Sequence, residues 1–325
     1  MRSRVLALCA FLILATSPVA VCAQSAAPAP DWTVSLAGKV WVSSGWSNWN
    51  LKSAGVDPAT DLRWRGVDAV VGEVSADIVW RRLVWTLSVG GTEVDQGALI
   101  AEDFARSNRQ GRFSVTRSSV DEGNIFYINN DIGARVAEWR QPLFGGGPAP
   151  AAAGGYLDVF VGYQFWREEY VAFGITGNLI FPSGFIVSQG EPSSVKVVTN
   201  EYTRHSMRLG ARTQVPLVGG LSLKALAALS PWTRTEYEDT HHLITGPRQP
   251  TESVASGGFG VQVEAGLSYA ILGGLSAEGG FRYWRFDSGE GDVITRASNG
   301  AVTKSKLNEA ITERYGPYVG LSWRF

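Results

Sequence analysis

Apolar residues recur at every second position along most of the chain, while no stretch after the N-terminus sustains the roughly 20 apolar residues of a membrane helix. In residues 156–166, Leu157, Val159, Val161, Tyr163 and Phe165 fall on one face of an extended strand. Asp158, Phe160, Gly162, Gln164 and Trp166 fall on the other. The runs 221–229 and 259–269 repeat the pattern, and in the latter the second face is entirely small or polar. This period predicts an all-β chain. The abundance of Gly (38) and Trp (12) suits many turns and exposed aromatic girdles.

Charged residues collect on the second face: Lys39, Glu73, Asp77, Asp158, Arg208, Arg212, Lys224, Glu264, Glu278, Arg282 and Arg324. A soluble sandwich would turn them to water, whereas a membrane barrel turns them into its lumen and its apolar face to lipid. The N-terminus decides between these. Arg2 and Arg4, the apolar run Val5 to Ala15 and the small-residue site Val21-Cys22-Ala23 have the form of a secretory signal peptide over residues 1–23. Cleavage there removes Cys9 and Cys22, so residues 24–325 contain no cysteine and use no disulfide. Aromatic residues also mark strand ends, and the chain closes on Phe325. The expectation is a transmembrane antiparallel up-and-down β-barrel in the outer membrane of a Gram-negative envelope. With 29 Lys and Arg against 30 Asp and Glu, no charge excess points to nucleic acid.

Alternating runs give about ten strands: 32–46, 62–80, 83–95, 122–138, 156–173, 197–215, 221–238, 255–270, 275–287 and 309–325. Four connections are compact, at Arg81-Arg82, Phe144 to Gly155, Pro216 to Gly220 and Ile271 to Gly274; the other five are mostly longer and more polar. An even count places both termini at the short-turn, periplasmic end, with the long loops extracellular. Pro317 predicts a bulge in the last strand. The Gly-, Pro- and Ala-rich stretch 144–155 reads as a flexible insertion without a binding role. Around ten strands leave a lumen filled by side chains, which disfavours a passive pore.

Three histidines limit the chemistry available. His205 and Ser206 are neighbours and point to opposite faces of a strand, so they do not form a nucleophile and base pair. Asp239 and His241 share a face if the strand continues. There a carboxylate can fix one imidazole nitrogen and leave the other to take a proton from water. The bland reading of Asp239-Thr240-His241-His242 is a polar loop, and a metal site at the two histidines lacks further ligands.

The segment Leu229-Ser-Pro-Trp-Thr-Arg-Thr-Glu-Tyr-Glu-Asp-Thr-His-His-Leu-Ile-Thr resembles the omptin segment in which a strand ending in Trp and Arg leads to an Asp-x-His couple. Tyr283 to Asp292 and Tyr315 to Phe325 are similar to the family's ninth strand and its C-terminal strand. The resemblance implies a ten-stranded outer-membrane barrel with a protease site at its extracellular rim. Asp239 would orient His241, and His241 would polarise the attacking water. It also implies lipopolysaccharide on the exterior, a peptide or protein substrate, and no cofactor or metal. In the second loop the family places two Asp one residue apart, followed by an aromatic. Asp103-Phe104 matches the end of that pattern, and Ala101 stands where the other Asp belongs. Glu102 would point away and Asp95 lies further down the strand. Two readings follow: an omptin-like barrel without full protease activity, or a cell-surface omptin-type endopeptidase using Asp239, His241 and Asp103.

Overall fold

The computed structural model describes residues 32–325 apart from 146–148, 181–185, 244–246 and 298, so the predicted signal peptide lies outside the described residues. Among these, antiparallel strands form a single 13-stranded sheet that closes on itself where β1 (Trp32–Ser53) pairs with β13 (Val302–Arg324). Between them run β2 (Val56–Arg65), β3 (Ala69–Trp80), β4 (Leu83–Glu93), β5 (Ala98–Arg106), β6 (Gln110–Trp139) and β7 (Gly155–Ile180). β8 (Ile186–Val218), β9 (Leu221–His241), β10 (Pro247–Leu272), β11 (Leu275–Asp287) and β12 (Gly291–Ala297) complete the set.

Thirteen segments make ten staves. β3 and β2, β4 and β5, and β11 and β12 each form one stave interrupted at 66–68, 94–97 and 288–290. Backbone bonds bridge the gaps, as from Val67 N to Gly45 O at 3.1 Å and from Val94 N to Gly123 O at 2.9 Å. Each of the ten sequence-predicted runs lies on a stave, and the one correction of continuity is 62–80, which breaks at 66–68. Closure leaves no edge strand with unpaired N–H and C=O groups, the condition for β-structure in lipid.

The exterior is apolar around the lower barrel. Leu36, Val74, Ile132, Val161, Leu209 and Leu267 are exposed at mid-height. Aromatic rings border this belt, with Trp32, Trp80, Trp85, Tyr269, Trp323 and Phe325 towards the turn end and Phe126, Tyr163, Trp232, Phe259, Phe281 and Tyr315 towards the other. Inside lie the charges. All eleven interior charges read from the alternation line one lumenal cavity of about 170 Å³ near the turn end. They form a pairing network: Arg282 binds Glu73 and Glu264, each at 2.8 Å, Lys39 binds Glu278 at 3.2 Å, and Arg212 binds Asp77 at 2.6 Å.

Above the belt the pattern inverts, and on β9 a bulge marks the change, where the pairing with β8 passes from Leu209↔Leu229 to Met207↔Trp232. On β9 the outward Leu223, Leu229 and Trp232 give way to outward Arg234, Glu236 and Glu238, while Thr233, Thr235, Tyr237 and Asp239 point inward and are buried. On β2, Leu62 and Trp64 face the interior while Arg63 and Arg65 face out. The staves thus continue beyond the membrane as an ordinary β-barrel with an aromatic core and a charged surface. The predicted long loops are for this reason largely strand, and the connections at that end are short, such as Ala54-Gly55 and 107–109.

Two local expectations need comment. In the turns 219–220 and 273–274, Gly219 and Gly273 adopt φ +55, which a side chain disfavours. β13 runs through Pro317 without the predicted bulge: its register with β1 is the same on both sides, Trp41↔Tyr318 and Ser44↔Tyr315, and its pairing with β11 continues through Phe281↔Pro317, so the proline interrupts only the pairs at 42–43. The stretch 144–155 is corrected. Its described part folds back on the turn-end mouth, where Leu143 N bonds Pro216 O and a 3-10 turn at Ala151–Ala153 carries acceptors for Gln214 and Ser222. Ala152 lines the cavity and Ala153 is buried, so small residues here serve close packing rather than flexibility.

Two outcomes follow. Val161→Arg, outward at mid-belt, should destabilise the refolded barrel by about 2–4 kcal/mol in urea titrations in lipid. Arg282→Met should cost about 3–5 kcal/mol in the same assay, because Glu73 and Glu264 are left buried with a partner removed.

Candidate active site

The two-residue turn at 219–220 sets β8 against β9 so that Asn200 lies opposite Asp239 and Val198 opposite His241. β9 stays extended to His241, which keeps Asp239 and His241 on the same inward face, as their spacing predicts. Asp239 is 3% exposed. Asn200 Nδ2 donates to its Oδ1 at 2.7 Å. Burial pushes the Asp239 carboxyl above the usual carboxylate range, against the opposing pull of the His241 charge and the Asn200 bond. Asp239 and His241 are therefore electrostatic neighbours at the rim.

His242 leaves the strand, is exposed, and lies 2.9 Å from Thr199 Oγ1 through Nε2. Its pKa is lowered, first by desolvation and then by the Lys196 and His241 charges. His205 is on the outer wall against Tyr163 and Phe165, while Ser206 is fully buried, so the two do face opposite ways.

Asp103 belongs to the other wall. On β5 it pairs with Thr60 of β2, whose Oγ1 donates to its Oδ1 at 2.7 Å. Ala101, two residues away, packs against the interior apolar cluster and so occupies an inward position with no polar atom. Glu102 faces the other side, where it accepts hydrogen bonds from Arg63 and Arg112. Asp95 is exposed in the interruption at 94–97. The structure thus brings Asp239 and His241 together, holds Asp103 separately on Thr60, and removes Glu102 and Asp95 from the inner face.

An aromatic chain crosses the lumen beneath these residues. Trp64 and Tyr170 have ring centroids 5.3 Å apart, Tyr170 and Tyr202 6.3 Å, and Tyr202 and Tyr237 5.6 Å, linking β2 to β9. Tyr237 sits two residues below Asp239 on the same face. Arg314 Nε and the Tyr170 and Tyr202 hydroxyls all bind the buried Glu168 under this floor. Asn200, Thr60 and the ring floor escaped the sequence reading. Counting back from the 219–220 turn would have placed Asn200 opposite Asp239. Thr60 and Trp64 offered no comparable signal, because the stave carrying them is interrupted.

A closed ten-stave cylinder with an apolar outer belt and a charge-filled lumen is the architecture of an omptin-like outer-membrane β-barrel. Comparison with solved structures agrees: the outer membrane protease OmpT from Escherichia coli superposes with a TM-score of 0.74, covering 93% of this chain and 99% of that one at 15% identity. At that identity the likeness is one of fold. The translocator domain of the autotransporter NalP from Neisseria meningitidis (TM-score 0.33, 10% identity, 90% and 88% covered) is far more remote. The β domain of the Bordetella autotransporter BrkA (TM-score 0.24, 10% identity, 88% and 98% covered) is equally so. No protein-family model and no curated protein matches the chain.

The raised Asp239 pKa has a measurable consequence. A carboxyl whose folded pKa exceeds its unfolded value favours the fold below the unfolded pKa and loses that contribution as pH rises through the folded one. Asp239→Asn, which keeps an acceptor for Asn200, should therefore be no less stable than the parent at neutral pH. Its advantage in urea midpoint should shrink as pH falls from neutral towards about 4, and stay constant below that.

Proposed function

We propose that this chain is an omptin-like integral outer-membrane barrel whose rim retains the acid–histidine half of a peptidase site and does not carry out efficient peptide hydrolysis. In this reading the termini are periplasmic, the polar extension is extracellular, and lipopolysaccharide covers the outer wall. One observation carries the proposal: the inward position two residues before Asp103 is Ala101, and the neighbouring carboxylate of Glu102 is turned outward and bound by Arg63 and Arg112.

The chemistry explains why this matters. A water attacking a peptide carbonyl needs a base to take its proton and a second group to hold it in line. Asp239 and His241 supply the first requirement. Asp103 shares its oxygen with Thr60, and no carboxylate stands beside it at 101. Losing a positioning group costs on the order of 100-fold or more in rate.

A second reading rests on the couple itself. Asp239, buried and bound by Asn200 beside His241, is arranged as a base pair would be, and Asp103 faces the same lumen. On that reading the protein is a surface endopeptidase in which His241 activates water, Asp239 orients it and Asp103 stabilises charge at the carbonyl.

Refolding with lipopolysaccharide and assaying a peptide library separates the two. The proposal expects no turnover above background in the parent, and His241-dependent cleavage at least 100-fold higher in Ala101→Asp. Cleavage by the parent that disappears in His241→Ala overturns it in favour of the endopeptidase.

A further inference from the structure

The turn end of the barrel is uneven on one side. The β3–β4 hairpin turns at Arg81-Arg82, whereas the neighbouring β6 runs on to Trp139. Arg135 N donates to Arg82 O at 2.7 Å, and beyond that bond the β4-facing edge of β6 has no strand beside it among the described residues. This leaves a step from Val136 to Trp139, roughly 13 Å of strand. The chain then leaves β6 along the end of β8, where Leu143 N and Phe144 N donate to Pro216 O and Leu217 O at 3.0 and 2.8 Å.

Apolar and cationic side chains divide the step. Val136, Leu143 and Phe144 are exposed and carry the apolar belt of Leu83 and Ile132 down to the turn end. Arg82 and Arg140 stand exposed at the two ends of the step, and Arg81 holds its guanidinium 5.5 Å from the Trp80 ring. Of the described acidic side chains at this end only Glu138 is exposed, and Arg135 binds it at 3.0 Å. The other two tight turns, 219–220 and 273–274, are Gly-Gly and carry no charge. Positive charge at the turn end is thus confined to one sector, directly beneath exposed apolar side chains. Such a surface matches a lipid with a negative headgroup, because acyl chains meet the belt while the guanidinium groups stay at headgroup level.

We propose that this step seats the headgroup of an anionic phospholipid of the phosphatidylglycerol class, with Arg82 and Arg140 reaching the phosphate and the acyl chains lying on Ile132 and Val136. The proposal rests on the orientation given above, in which the turn end is periplasmic and meets the phospholipid leaflet. A zwitterionic headgroup offers the arginines no net charge and is held less well.

Native mass spectrometry of the refolded barrel, released from micelles holding equal amounts of phosphatidylglycerol and phosphatidylethanolamine, reads the selectivity. A cation near an anionic lipid surface is worth roughly five-fold in binding. The parent should therefore retain phosphatidylglycerol about ten-fold or more over phosphatidylethanolamine, and Arg82→Gln with Arg140→Gln should bring the ratio within about two-fold. Arg106→Gln, at the opposite end of the barrel, should leave it unchanged. Equal retention by the parent, a preference that survives the double replacement, or an equal loss in Arg106→Gln overturns the lipid site. The orientation is tested apart from it, by Arg140→Cys on intact cells of a Gram-negative host. Protection from a bulky impermeant maleimide until the outer membrane is opened supports the periplasmic turn end, and immediate labelling overturns that orientation and with it the choice of leaflet.

Discussion

The guanidinium of Arg282 stands where the two halves of the lumen meet. Below it, Glu73 accepts its hydrogen bonds and Glu264 forms an ion pair with it at 2.8 Å; around it, Trp41 and Trp284 place their rings 5.2 Å from its charge. Trp284 packs on Trp166 at 4.5 Å, and Tyr127 stacks on Trp166 while donating to Glu73 at 2.6 Å. Ten staves enclose a space too narrow for bulk water, so a charged network must be paired and an aromatic layer must be packed. One side chain joins the two solutions. The ring floor that carries the rim residues is built on top of this layer.

Closure explains the polarity inversion. The lower staves need an apolar outside and can hide paired charges inside, while the upper staves need a polar outside and can hide rings inside. Arg167 with Glu201, and Arg285 with Glu313, decorate the outer wall at 2.8 and 3.0 Å just above Tyr163 and Phe281. These exposed pairs contribute little stability, on the order of 0–1 kcal/mol each, and chiefly keep that wall wet. The interior of the same staves is where the aromatic floor and the Asp239–His241 couple sit.

Much of this was legible in the sequence, for a physical reason. Strand parity is strict, so each charge on the second face of a run such as Leu221 to Leu229 had to share the lumen, and the eleven charges assigned by parity do. The same parity put Asp239 with His241 and set Glu102 against Asp103. Stave ends were misjudged because hydrophobic alternation was expected to keep its sign. Beyond Trp232 the apolar residues move to the inward positions, so the run read as 221–238 continues to His241 and the one read as 255–270 begins at Pro247. The break at 66–68 was hidden inside the run 62–80, because apolar residues alternate on both sides of it, although the inward set changes from Leu62 and Trp64 to Ala69 and Val71. Partners such as Asn200 and Thr60 depend on cross-strand register, which alternation within one strand does not contain.

The rim chemistry requires Asp239 and His241 to stand in water, so it depends on where along each stave the lipid ends. Residues 24–325 contain no cysteine, so single cysteines at 223, 229, 232, 234, 236 and 238 of β9 can each carry a spin label in the refolded barrel in lipid bilayers. Collision with oxygen should dominate at 223, 229 and 232, and collision with a water-soluble nickel chelate at 234, 236 and 238. A boundary anywhere but between Trp232 and Arg234, or labels at 236 and 238 that favour oxygen, would contradict the inverted-stave structure and place the couple inside the membrane.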